Sequence, residues 1–241
     1  MAKTNGLGVR IYANGYDLNA DVNALSGIGQ TQTLLDVTPL AKSAMERIIG
    51  LRDSVLSVNG YFDNAAGFSH EAFKSISADS EVIMTDGTSR GDHACGMVAD
   101  QGSYDINRGE GSAITTTVEF STSNGKGLNW GVVLTDGPEQ TDAAAANSAA
   151  VDNTSSSANG AIGVVSIESV ASGTADIKVQ HSADDITYAD LLTFTGATGR
   201  TSESISATGT VNRYVRVAST GTFTNLVFVM QFATQNDIRP I

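Results

Sequence analysis

Residues 38–63, TPLAKSAMERIIGLRDSVLSVNGYFD, decide the fold, because a helix and a strand are both legible here. Thr38 can cap a helix through its hydroxyl. Pro39 suits the first helical position, where a missing N–H costs nothing. Leu40, Ala44, Met45, Ile48 and Ile49 recur at helical spacing, and Lys42, Ser43, Glu46 and Arg47 fall on other faces. Gly50 suits the stop. After Asp53 the period becomes two, through Val55, Leu56, Ser57 and Val58 to Gly60, Tyr61 and Phe62. The spacing predicts a short helix laid on a sheet that contains the following strand. The stretch holds no His, no Cys and no converging carboxylates, so it reads as scaffold.

Working outward, residues 7–13 (LGVRIYA) alternate as a first strand, and Asn14-Gly15 marks a turn. Residues 16–37 are polar and Gly-rich, and form either a long hairpin or a long loop. A loop of about 20 residues inside a compact domain is uncommon and often functional. With only Asp17, Asp21 and Asp36 to titrate, it points to partner contact rather than catalysis. Ser69–Ile76 reads as a second short helix capped by Ser69. Strands are expected over Glu81–Thr85, 93–100, 113–120 and Leu128–Leu134, with a turn at Asn124-Gly125. Residues 141–160, TDAAAANSAAVDNTSSSANG, have no aromatic residue and one large aliphatic, Val151, and read as a linker. Residues 161–233 then give short strands at regular spacing, including an alternation that begins at Arg213-Tyr214, which indicates a β-sandwich or jelly roll. The expected architecture is mainly β. A β-sandwich with a flanking helix occupies 1–140, a linker 141–160, and a second small β-sandwich 161–241.

The 241 residues suffice to bury a core without staples. Cys95 is the single cysteine, so neither an internal disulfide nor a Cys-based zinc site is expected. The N-terminal stretch has no apolar signal region, and the longest apolar run, Leu226–Met230, is far below a membrane span, so folding in the cytoplasm is expected. The net charge of −12 argues against gripping nucleic acid phosphates. It is compatible with enclosing DNA without adhesion, because a like-charged wall repels.

Candidate chemistry is thin. Gly87-Thr88-Ser89-Arg90-Gly91 matches the letters of a nucleophile elbow, but GDHACGMV is a poor helix start, and the partner histidine would have to be His93 or His181. His93 and Cys95, near Asp92, could share a strand face, yet two ligands make a weak metal site. Asp184-Asp185 lies in a turn without EF-hand spacing. Asn153-Thr154-Ser155 is a glycosylation sequon on letters only. No catalytic, cofactor or metal residue is assigned, no cofactor is expected, and the chain is not expected to be an enzyme.

The first 140 residues resemble the major tail (tail tube) proteins of long-tailed, non-contractile bacteriophages. The resemblance is carried by Tyr12, Asn14, Gly15, Asp17 and Leu18, by Glu46–Asp53 (ERIIGLRD) and by Val58–Asp63 (VNGYFD). It implies a virion protein assembled in the host cytoplasm. Hexameric rings would stack into a tube with an acidic lumen through which DNA passes without specific binding, alongside tape measure and terminator proteins. It also implies that residues 14–37 reach a neighbouring ring. Val179–Leu191 and Arg213–Val217 resemble the Ig-like or galactose-binding-like sandwiches that decorate some tails. That likeness carries an expectation of weak glycan binding by residues 161–241. The alternative is a capsid decoration or host-surface binding module anchored by residues 1–140.

Overall fold

A computed structural model describes residues 8–123 and 125–234. Leu7 of the first expected strand and Asn124 of the expected Asn124-Gly125 turn lie outside the described residues.

The chain is nearly all β, as its alternating patterns predict. The elements are β1 (Val9–Ala13), β2 (Tyr16–Asp17), β3 (Val22–Asp36), β4 (Arg47–Tyr61), α1 (Ser69–Phe73), β5 (Ser80–Asp86), β6 (His93–Asn107), β7 (Thr115–Thr122), β8 (Leu128–Val133) and β9 (Gln140–Asp142). They continue with β10 (Ala146–Asn147), β11 (Val151–Asp152), β12 (Ala161–Ser182), β13 (Ala189–Thr193), β14 (Thr201–Ala207) and β15 (Tyr214–Thr234). All pairings are antiparallel and join into one hydrogen-bonded network along the path β13-β12-β15-β8-β6-β5-β1-β2. A branch β3-β4-β7 leaves that path at β6.

Alternation buries one side of strands such as β7, whereas the runs 94–99, 161–167 and 228–233 are buried on both sides. Ile11, Leu56, Val58, Met97, Val118 and Phe120 meet Phe73 of α1 in one cluster. Val165, Ile177, Val179, Leu192, Val217, Phe228 and Phe232 form a second. Tyr12, Ile83, Ala94, Val133, Val164 and Val229 form a third, drawn from both halves of the chain. The halves also share a ladder, since β15 pairs β8 at Gln231↔Val133 and Phe232↔Val132. Gly131 permits this approach, because a Cβ there would lie 2.0 Å from the Phe232 carbonyl oxygen.

Three expectations are corrected. The helix over 38–50 does not form: residues 37–46 are a loop, and Arg47 to Asp53 are already strand. The helical stripe had no sheet to lie on, whereas β3 offered Ile48 and Ile49 the cross-strand neighbours that β-branched residues favour. Thr38 closes the loop instead of capping a helix: its hydroxyl accepts from the Glu46 N–H at 2.7 Å and donates to Asp36 Oδ1 at 2.6 Å. Next, the second expected helix is shortened to α1, and Ser69 is not its cap. The Ser69 hydroxyl donates to the Tyr61 carbonyl and accepts from the Asp63 N–H. Finally, residues 141–160 are not a free linker. β9, β10 and β11 all pair with β15, so the small residues succeed by backbone hydrogen bonding along an existing edge rather than by burying side chains of their own.

A candidate assembly surface: the β3–β4 arm

The Gly-rich stretch after β2 resolves as the outgoing strand of a long hairpin. β3 pairs β4 from Val22↔Gly60 to Asp36↔Arg47. Near the body, Ser54, Leu56 and Val58 of β4 face the core, and β7 covers the other edge of β4 from Val55 to Tyr61. Beyond Val55 that cover ends. Residues 31–53 project as a two-stranded arm in which only Thr38 and Gly50 are less than exposed.

Directly opposite residues of an antiparallel pair share a face. Leu34 with Ile49 therefore occupies one face of the arm, and Leu35 with Ile48 the other. Leu34 is 58% exposed, and Leu51, at the register shift between Gln32 and Leu34, is 88% exposed. Leu40 and Met45 stand exposed in the tip loop. Both edges are open as well, because among the described residues β3 pairs only β4, and β4 meets β7 only from Val55 on. A lone two-stranded ribbon is marginal in water. Open edges template pairing with another chain, and a contiguous exposed apolar patch marks an interaction surface. The arm is also electrically balanced, with Asp36, Glu46 and Asp53 against Lys42, Arg47 and Arg52, in a chain of net charge −12. Asp36 is held below the ordinary carboxylate range by its hydrogen bonds from the Thr38 hydroxyl and N–H.

The solvent face of the sheet that carries the arm differs sharply. Opposite the buried Leu56, Val58, Val118 and Phe120, it presents Ser57, Asn59, Thr117, Glu119 and Asp105. The Thr117 hydroxyl donates to Asn59 Oδ1, and Asn59 donates in turn to the Ser26 hydroxyl. No basic residue stands among these positions.

The sequence-level chemical candidates are not brought together. Ser89 lies in a turn, its N–H donating to Asp92 Oδ2 at 2.7 Å, and the residues after it form strand β6 rather than the helix an elbow needs. His93 is exposed while Cys95 is buried among apolar neighbours, and burial pushes the Cys95 thiol up to about 12. His181, in the other half of the chain from Ser89, accepts at Nδ1 from the Asn212 N–H. Asp184 accepts from the Ser182 hydroxyl and the N–H groups of Ile186 and Thr187, which hold it at about 2 and close its turn. Among the described residues no group of three or more His, Cys, Asp or Glu could hold a metal ion. On the 161–241 half, the Arg216 guanidinium lies 3.7 Å from the Tyr188 ring centroid, over the ring face that a sugar would stack on. Among the described residues no helix is long and apolar enough to cross a membrane.

What sequence reasoning missed was a carboxyl cluster at the junction of the halves. Glu139 is pushed up to about 8, first by burial, then by a hydrogen bond shared with Glu168 and by the charges of Glu168 and Asp17, with Arg10 opposing. A register shift in β12 between Ile167 and Ser169 falls at Glu168. No local pattern announces a pair of glutamates 29 positions apart.

No family model and no curated protein matches the chain. Among solved structures it is similar to a chain of the virion of a native gene transfer agent particle, with a TM-score of 0.42 and 15% identity over 54% of this chain and 98% of that one. It is similar to a chain from the tail of an empty gene transfer agent particle with C6 symmetry, with a TM-score of 0.38 and 16% identity over 51% of this chain and 96% of that one. It is also similar to the Dit protein of phage SPP1, described as a hub adsorption apparatus protein of phages infecting Gram-positive hosts, with a TM-score of 0.36 and 10% identity over 93% of this chain and 98% of that one.

Proposed function

We propose that this chain is a structural virion protein, the repeating subunit of a phage-type tail tube, whose mechanism is self-assembly rather than turnover. The observation that carries the reading is the arm at residues 31–53, with apolar residues on both faces and unpaired backbone on both edges. A monomer gains nothing from such an element. A ring of copies gains continuous strand pairing and removes the open edges. The charge balance of the arm lets otherwise acidic copies approach one another.

In this reading the hydroxyl-rich solvent face with Glu119 and Asp105 faces the lumen, where it repels DNA phosphates instead of holding them. Residues 161–241 lie on the outside. Six copies per ring, with tape measure and terminator proteins as partners, complete the proposal. The low TM-scores of the solved likenesses give it no weight, and the arm supports it alone.

The test is negative-stain electron microscopy of the purified protein, fresh and concentrated. Hollow rods or rings with a channel are the expected result. Uniform small particles at every concentration, unchanged when residues 33–50 are replaced by a two-residue turn, would sink the proposal.

A further inference from the structure

The chain holds one tryptophan, and it is not in the core. Trp130, on β8, is 55% exposed. It lines a shallow groove of about 290 Å³ together with His93, Val132, Phe232 and Asn153. Val132 and Phe232 make the floor where β8 meets β15. Asn153 borders the groove, and its side-chain Nδ2 is buried with no hydrogen-bond partner. Tryptophan set in a pocket is among the residue types enriched in interface hot spots.

On the same chain the arm tip offers the complement. Leu40 and Met45 are exposed on residues 37–46, a loop whose charges, Lys42 and Glu46, pair with each other at 3.8 Å. Methionine adapts to irregular apolar sites and makes favourable sulfur–aromatic contacts. The tip is neutral, so an acidic copy can receive it without the repulsion that any other exposed segment of net negative charge would bring.

The tip and groove of one copy do not meet. The arm is anchored at its base by Gln30, whose side-chain amide donates to the Leu128 carbonyl at 3.2 Å. From Gln30 to Val37 the strand advances about 24 Å, whereas Trp130 is two residues, about 7 Å, past Leu128 on β8. A tip that fills the groove therefore comes from a second copy. Resting on the proposed self-assembly, we infer that the tip loop of one subunit seats Leu40 and Met45 in the Trp130 groove of a neighbouring subunit. Donor and acceptor are different patches, so the contact is heterologous and propagates along an assembly rather than closing a dimer.

Trp130 is its own reporter. Emission spectra recorded across a concentration series that spans assembly shift to the blue as Trp130 becomes covered. The double variant Leu40→Asp/Met45→Asp changes only exposed loop positions, so it folds as the parent does, checked by circular dichroism. It loses the blue shift and raises the concentration needed for assembly roughly tenfold or more. Assembly seen by electron microscopy with an unchanged Trp130 spectrum would overturn the groove contact and leave the self-assembly reading standing. A blue shift retained by the double variant would overturn it as well. Absence of assembly at every concentration would remove both.

Discussion

The Ser202 hydroxyl donates to Glu81 Oε2 across 2.7 Å, joining β14 to β5 over 121 positions of sequence. Lys126 Nζ donates to the Ser204 carbonyl beside it, and the Arg200 guanidinium lies 4.1 Å from the Tyr16 ring centroid. Together with the cluster of Tyr12, Ile83, Val133, Val164 and Val229, these contacts join the two halves of the chain. Val164→Ala removes two methyl groups from that shared cluster and should cost roughly 1–3 kcal/mol. Calorimetry should show a single transition moved to lower temperature. Two transitions, with only the upper or the lower displaced, would count against the shared core.

Stability should depend on the protonation of Glu139. Its carboxyl keeps its proton to a higher pH in the folded chain, about 8, than the ordinary 4.5, because of burial and the facing Glu168 and Asp17, with Arg10 opposing. The folded state therefore binds more protons than the unfolded state between these values. The contribution is most favourable below pH 4.5, declines as pH rises, and is fully lost above about 8. Glu139→Gln, which keeps the hydrogen bond without the charge, should leave the melting temperature near that of the parent at pH 5. At pH 8.5 it should raise it by on the order of 3 °C, because the site is only partly enclosed and water screens much of the repulsion. An equal effect at both pH values would contradict the charge origin.

The strands were legible because alternation writes burial directly into sequence, as in β7, where Thr116, Val118 and Phe120 point inward between exposed Glu119 and Ser121. The arm was misread at Leu40–Ile49 for a physical reason. Apolar residues that face no core of their own chain can take helical spacing by accident, because nothing buried disciplines the pattern. Residues 141–160 misled in the opposite sense: their composition cannot build a core, yet they complete an edge that β15 already provides. The candidate assembly surface is legible in the sequence only as a long polar stretch that could be hairpin or loop. The Trp130 groove was not visible at all, since it joins β6, β8, the segment at Asn153 and β15 across more than 130 positions.

Cys95 should behave as a buried apolar residue. It sits among Ile11, Met84 and Met97, and burial pushes its thiol up to about 12, so little thiolate forms at neutral pH. A chromogenic disulfide reagent at pH 8 should leave the native protein unmodified over hours and titrate one thiol after denaturation. Rapid native labelling would show that the β5–β6 face opens, contrary to the packing.

The arm should be the first part of the unassembled chain to yield to protease. Lys42 lies in the exposed loop of residues 37–46, Arg47 and Arg52 follow on a strand with one free edge, and no side chain of the arm is buried in the body. Local opening of such a segment costs far less than global unfolding. Trypsin at low ratio should cut at Lys42 and Arg47 within minutes, while the remainder stays intact and melts within a few degrees of the parent. In assembled material the same bonds should be protected, because strand pairing and tip docking would cover them. Equal cleavage rates in dispersed and assembled samples would mean that the arm is not part of the contact between subunits.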